Sequence, residues 1–520
     1  MVTATVWQTP VLVVGAGTAG SVLALELAHH GVACMVIDRG GAAEPVGLAH
    51  LGGRSMELLR RLGLAAAVRR AGLDADAATD LVWRQRLDRP PVLIAQRPSV
   101  NQLRQLYATV NDGSAPAEHH QPIVEARLGQ LLRGCLAASP LVDLREGWTA
   151  TGVRVTPDGV AVTAADGSGE ARHTIRARYV VGCDGAASTV RRCAGIELDA
   201  LAGAHVRYRA IAFRSADLAL HSRGPGLSTL VVGGATLLSR PQRHLWAAHL
   251  PLGAGELGEF LGSAVEVLGV QDWDDTLPVA RLYRRGPVFL AGAAAHGFAP
   301  AGDTPDPGIG DAVNLGWKLA ALHLGWGGPA LLDSYEAERR PRALMDRELL
   351  ARGLETRRRF GRLAAAGAPA DYLAGFLRGE PALADDLGSG YCERYAASPV
   401  IRYERGHPPP PGPRITPSTW PGGRAPAVRL ADGGQFFDRL GPQFTLVDLT
   451  GGGDGRALAA AARSRGLPVA HLPLDEPAVR ACWGRRLVLV RPDQHVAWRD
   501  DAGLDDWDAV LDTVFGRQPD

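Results

Sequence analysis

The sequence predicts an α/β protein opened by a Rossmann-like unit, and three observations carry that reading. The apolar run Pro10 to Gly15 leads into Gly15-Ala16-Gly17-Thr18-Ala19-Gly20, a G-x-G-x-x-G turn at the entrance of a helix. Residues 204–213 and 230–246 alternate in the manner of a half-buried antiparallel sheet. Beyond the proline-rich run 407–413, a stiff spacer, strand and helix signals alternate again and mark a separate C-terminal unit.

At 520 residues the chain is long enough for two or three domains, and 56 basic against 55 acidic residues leave it nearly neutral. No basic patch points to nucleic acid. No apolar run approaches membrane-spanning length and no leader precedes the first strand, so a cytoplasmic protein away from membranes is expected. Cys34, Cys135, Cys183, Cys193, Cys392 and Cys482 are scattered without CxxC or zinc spacing, so neither disulfides nor a metal site is expected.

In chain order, a helix from the glycine turn runs to about His29, and Ala33 to Ile37 forms a second strand closing on Asp38. Gly15 suits the tight turn, Gly17 close approach of a pyrophosphate, Gly20 helix-on-strand packing, and Asp38 a ribose hydroxyl. Leu48 to Leu59 leads into an amphipathic helix on which Arg54 either reaches cofactor phosphates or pairs with Glu57. Residues 81–120 read as strand and then irregular, and Ile123 to Leu136 as a helix carrying Glu125. Strands follow at 142–146, 150–155 and 160–165, with turns at Pro157-Asp158-Gly159 and Asp166-Gly167. Arg209, Arg240, His244 and Trp246 are candidate pocket residues on the later sheet, with ordinary sheet roles as the alternative. From Gly286, a buried strand, Val288 to Ala291, passes through a Gly/Pro-rich loop into a helix starting near Ile309. Backbone N–H groups and the positive end of the helix dipole converge at such a start.

Several of these runs resemble the FAD-dependent aromatic hydroxylases, single-component flavoprotein monooxygenases that include the polyketide hydroxylases. Tyr179 to Arg191, YVVGCDGAASTVR, matches the family's second fingerprint; Gly292, Ala294, Ala295, His296, Pro300, Gly302, Asp311, Ala312, Asn314, Leu315, Trp317, Lys318 and Leu319 match its last flavin segment. Tyr335 to Pro341 matches Y-x-x-E-R-R-P, read as an ion-paired helix end before a longer helix toward Arg362.

The resemblance implies FAD held by Gly15, Gly17, Ala19, Gly20, Asp38, Arg39, Arg54, Glu125, Asp184, Gly292, Pro300, Gly308 and Ile309. It implies a discontinuous FAD domain of the p-hydroxybenzoate hydroxylase type (1–80, 121–198, 286–365), a substrate domain (81–120, 199–285) and a helical linker (366–413). Residues 414–520 then form a thioredoxin-like domain without CxxC, a packing or dimer element.

The departures concentrate at the flavin. Ala293 stands where the family has an Asp that hydrogen-bonds the ribityl chain, and Asp303-Thr304-Pro305-Asp306-Pro307 replaces a G-Q-G-x-N loop. Leu48 replaces an arginine, and Glu125 a glutamine. The resemblance implies NADH or NADPH as reductant and a flavin C4a-hydroperoxide that hydroxylates, or inserts oxygen beside a ketone of, a polycyclic polyketide-type substrate. Two alternatives stand beside it: a flavin-retaining [4+2] cyclase that works by shape and orientation, and a catalytically silent flavoprotein. No side chain is singled out as acid or base.

Overall fold

The computed structural model describes residues 6–40, 48–77, 79–167, 172–203, 205–215, 227–239, 244–253, 255–298, 304–381, 389–410, 412, 414–502 and 506–517. Its first sheet runs in the order Arg284–Arg285, Val288–Leu290, Arg172–Gly182, Val6–Val14, Cys34–Asp38 and Val142–Glu146. The last five of these strands pair in parallel, and the hairpin Thr149–Thr156/Gly159–Ala165 joins through an antiparallel pairing to Arg172–Gly182. Val11, Leu12 and Val13 are fully buried, as a parallel strand covered on both faces requires. Val14 lies opposite both Gly182 and Ile37, and Gly182 opposite Leu290. The loops that follow four strands therefore open at one level, where open α/β sheets bind ligands.

A seven-stranded sheet has the order Glu266–Asp274, Arg207–Arg214, Leu245–Pro251, Ala235–Ser239, Leu227–Val232, Thr79–Arg84 and Leu93–Ala95. Leu81, Trp83 and Val231 on one face pack with Phe360, Leu373 and Leu377 of two helices, Ala330–Ala365 and Ala370–Arg378. The C-terminal sheet is four-stranded, Val469–Pro473, Phe444–Asp448, Leu487–Val490 and Val496–Asp500. Its core takes in Trp317 and Ala321 from the helix Asp306–His323, together with Trp326 and Leu331.

Charge reinforces that apolar seam. Glu338 accepts hydrogen bonds from Lys318 (2.6 Å), Asn314 (2.6 Å), Ser398 (2.6 Å) and both terminal nitrogens of Arg491 (2.6 and 2.8 Å). Asp493 accepts from Arg491 (2.6 Å) and Trp317 (3.3 Å). Two cations face two anions with almost no exposure, the condition under which buried ions offset their desolvation. Burial alone would raise the Glu338 carboxyl, but Arg491 and Lys318 outweigh it and hold it well below the carboxylate range. Burial lowers Lys318, the chain's only lysine, to about 8 against the pull of Glu338.

Three expectations change. Pro341 lies inside a single 36-residue helix, Ala330–Ala365, rather than at a helix end; the turn on either side is anchored by buried Glu338, Arg339 and Ala343. Glu125 is the first residue of its helix, because 121–124 form a strand paired with Leu48–Leu51. Residues 100–106, read as irregular, are a helix closed by a Ser99/Gln102 capping box. Among the described residues no helix is long and apolar enough to cross a membrane.

The buried ion network predicts acid lability. Because the folded Glu338 carboxyl lies below its unfolded value, its contribution is full above the ordinary glutamate range and disappears as pH falls through and below it. Thermal melts should show a midpoint steady between about pH 7 and 5.5 that drops below about pH 4.5. Glu338→Gln should cost about 3 to 5 kcal/mol and flatten that drop.

Candidate functional site

The four aligned strand ends present Gly15, Asp38, Cys183-Asp184 and Gly292 around one groove. Gly15 has φ +104°, and a Cβ there would lie 2.4 Å from the Cys183 carbonyl oxygen; at Gly20 it would lie 1.9 Å from that of Gly15. Both glycines are required by close packing. Gly17 differs, since a Cβ there meets nothing within 4 Å: its backbone faces open space. Asp38 accepts from the amides of Ala16 (2.7 Å) and Gly40 (3.0 Å) and pairs with Arg133 (3.0 Å), while Arg39 is exposed. Ala19, Gly292 and Gly308 close the groove floor, a Cβ on Gly308 standing 3.2 Å from both Ala19 Cβ and Gly292 Cα.

The helix at the far end of the groove starts at Asp306, nearly a turn before Ile309. That extra turn engages donors expected to be free. Ile309 N–H donates to the Pro305 carbonyl (3.0 Å), Asp306 N–H to Thr304 Oγ1 (3.2 Å), and Pro307 has no N–H. Ile309 is therefore not the open backbone donor expected of it. The Asp306 side chain turns across to Gly52, whose N–H donates to its carboxylate at 3.0 Å, and it is also hydrogen-bonded by Ser55. Gly52 caps the helix Gly53–Arg61, so this carboxylate satisfies a second helix start. Burial raises the Asp306 carboxyl, against the hydrogen bonds from Ser55, Thr304 and Gly52.

Beside Asp306 opens a cavity of about 240 Å³. Leu58, Phe298, Leu349 and Leu350 make its apolar walls, and Arg54, Arg339, Arg342, Asp346 and Glu393 its polar ones. Arg342 pairs with Asp346 (2.9 Å) and Arg339 with Glu393, so these ions are already matched. Arg339 also grips Asp311 (2.9 Å), which in turn holds His296 (2.9 Å) and the Gly292 amide (3.1 Å).

Other expected site residues make protein contacts of their own. Asp184 receives the Ser188 hydroxyl and the amides of Thr189 (2.7 Å) and Val190 (3.1 Å) at the start of the helix Thr189–Cys193, whose cap is Ser188. Arg54 pairs with Glu57 (3.2 Å), as one of its two readings had it, and reaches Gln494 and the Asp493 carbonyl of the C-terminal unit. Its terminal nitrogens are thus engaged in protein contacts rather than presented to phosphates. Glu125 is exposed at a helix start, where its charge suits the dipole. Ala293 is exposed in the turn Gly292–Ala294. Of the sheet candidates, Arg209 pairs with Asp272 on the solvent face (2.9 Å), His244 is an exposed turn residue with φ +71°, and Trp246 is core; none lines the cavity. Arg240, Pro300, Gly302 and Asp303 lie outside the described residues.

The sequence reading missed the cavity's long wall. Arg342, Asp346, Leu349 and Leu350 follow i, i+4, i+7, i+8 spacing on one helix face, a legible signal that placing a helix end at Pro341 obscured. Glu393 has no comparable local signal; only the tertiary fold brings it to Arg339.

Residues 8–232 and 260–346 match the family described as "FAD binding domain", and residues 418–518 match "Aromatic-ring hydroxylase, C-terminal". The FAD-dependent monooxygenase opdD of Penicillium oxalicum is 31% identical over 87% of this chain and 96% of its own length. The dialkyldecalin synthase of Streptomyces rugosporus is 30% identical over 97% of this chain and 98% of its own. A solved structure of RebC-10x, native and K252c-bound, superposes with a TM-score of 0.86 at 30% identity, covering 98% of this chain and all of that one. With the sheet order, the glycine groove and these matches in agreement, the chain belongs to the FAD-dependent aromatic-ring hydroxylases, flavoprotein monooxygenases of the p-hydroxybenzoate hydroxylase fold.

Proposed function

We propose that this chain oxygenates a polycyclic, polyketide-type substrate, by hydroxylation or by insertion beside a ketone, as a cytoplasmic enzyme of secondary metabolism that takes its electrons from NADPH. The observation that carries this reading is the cavity beside Asp306: apolar walls, ion pairs matched among themselves, and a position next to the helix start at the end of the nucleotide groove. Gly15, Gly17 and Gly20 would receive the pyrophosphate, and Asp38 the ribose, with Arg39 at the rim. FAD, when bound, supplies the oxygen-activating chemistry; the chain's own part is to orient the substrate and exclude water. Leu58, Phe298, Leu349 and Leu350 do so by contact, and Arg339 steadies Asp311 and the Gly292 turn behind them.

A second reading, redox-neutral ring formation in the same cavity, draws on Ala293 and on the engaged donors of the first turn at Asp306. The likeness to a dialkyldecalin synthase supports it as well. Anaerobic addition of NADPH to purified protein, with and without a polycyclic aromatic substrate, separates the two. Flavin absorbance that bleaches faster with substrate supports oxygenation; a protein that stays yellow removes it and leaves ring formation.

Two variant sets test the placement. Leu350→Trp should fill the cavity and abolish the substrate's acceleration of bleaching while FAD affinity stays within about twofold; unchanged acceleration would move the substrate elsewhere. Gly17→Ala should fold normally, by circular dichroism, yet lose FAD affinity at least about tenfold, about 1.4 kcal/mol. Gly20→Ala should instead lower stability, because its Cβ has no room.

A further inference from the structure

Reduction of a flavin by a hydride donor brings two electrons and a proton and leaves one negative charge on the ring system. Helix starts and free backbone N–H groups stabilise such charge. In this chain the first turn of Asp306–His323 keeps the Gly308 N–H open, but Ile309 N–H is held by Pro305, Asp306 N–H by Thr304, and position 307 is proline. The Asp306 carboxylate adds an anion at the same spot, half-buried and fixed by Gly52 and Ser55.

Beside it lies the cavity walled by Leu58, Phe298, Leu349 and Leu350. Arg54 lines that cavity at only 7% exposure, its terminal nitrogens held by Glu57, Gln494 and the Asp493 carbonyl.

We infer that Asp306 is the potential-setting residue of this enzyme: its carboxylate and the closed first turn of its helix hold bound FAD at a low reduction potential, favouring the oxidised form. The inference rests on FAD binding, which both readings of the function share, and not on the substrate. Pro307 contributes by withholding an N–H, and Thr304 by capping the one beside it.

The test uses full-length, FAD-loaded protein in an anaerobic titration against redox dyes, with sulfite binding to the oxidised flavin as a second readout. Asp306→Asn retains an oxygen for the Gly52 amide and removes the charge. It should favour reduction at least tenfold, about 30 mV for the two-electron couple, and tighten sulfite binding by a similar factor. Pro307→Ala, which restores an N–H, should shift both in the same direction by less. Equal potentials in all three proteins, a lower potential in Asp306→Asn, or a protein that takes up no FAD would overturn the inference. Oxygenation stands or falls separately: a shifted potential without product leaves this inference intact and removes that reading.

Discussion

The Glu338–Arg491 pair is the contact on which the arrangement of the site depends. Glu338 lies on the long helix Ala330–Ala365, Arg491 at the turn of the C-terminal sheet, and Lys318 and Asn314 on the helix between them. Removing either charge would leave the buried network of Glu338, Arg491, Lys318 and Asp493 with one uncompensated charge in a dry interior, so the three elements hold one geometry. One turn nearer the groove, Asp311 repeats the arrangement with Arg339 and His296 and passes it to the Gly292 amide. The C-terminal unit, which brings no nucleotide-binding motif, thereby helps set where the helix Asp306–His323 starts.

A helix held so firmly makes the chemistry of its first turn consequential. In a loose loop, Thr304-Pro305-Asp306-Pro307 would be four solvated residues. Here it is a closed turn that bridges to Gly52 and walls the cavity. The polarity of the site follows from that closure: an anion and two prolines stand at the N-terminal end of an 18-residue helix.

Much of this was legible in the sequence where local pattern and tertiary role coincide. The glycine spacing at Gly15, Gly17 and Gly20 announces a tight turn, an approach and a packing contact, and the structure shows a matching division between filled and open space. The strand at Phe444–Asp448 and the helix and strand after it were readable for the same reason. What escaped depends on distant partners. Arg54 carries the spacing of a pair with Glu57, but nothing local foretells Gln494 and Asp493. Asp184 sits in a fingerprint that names a ligand contact, while its carboxylate serves the amides just after it. The start of the helix at Asp306 was misplaced because proline and glycine argue for a loop, and the burial that closes the turn comes from Gly52, more than 250 residues away in the chain.

The central claim, that the first turn of Asp306–His323 remains closed when the enzyme carries its cofactor, is tested most directly by a crystal structure of the FAD complex. In that complex Ile309 N–H should still donate to Pro305 O, and Asp306 should still be joined to Gly52. A first turn unwound so that the amides of Gly308 and Ile309 point at the flavin, with Asp306 swung into solvent, would contradict it.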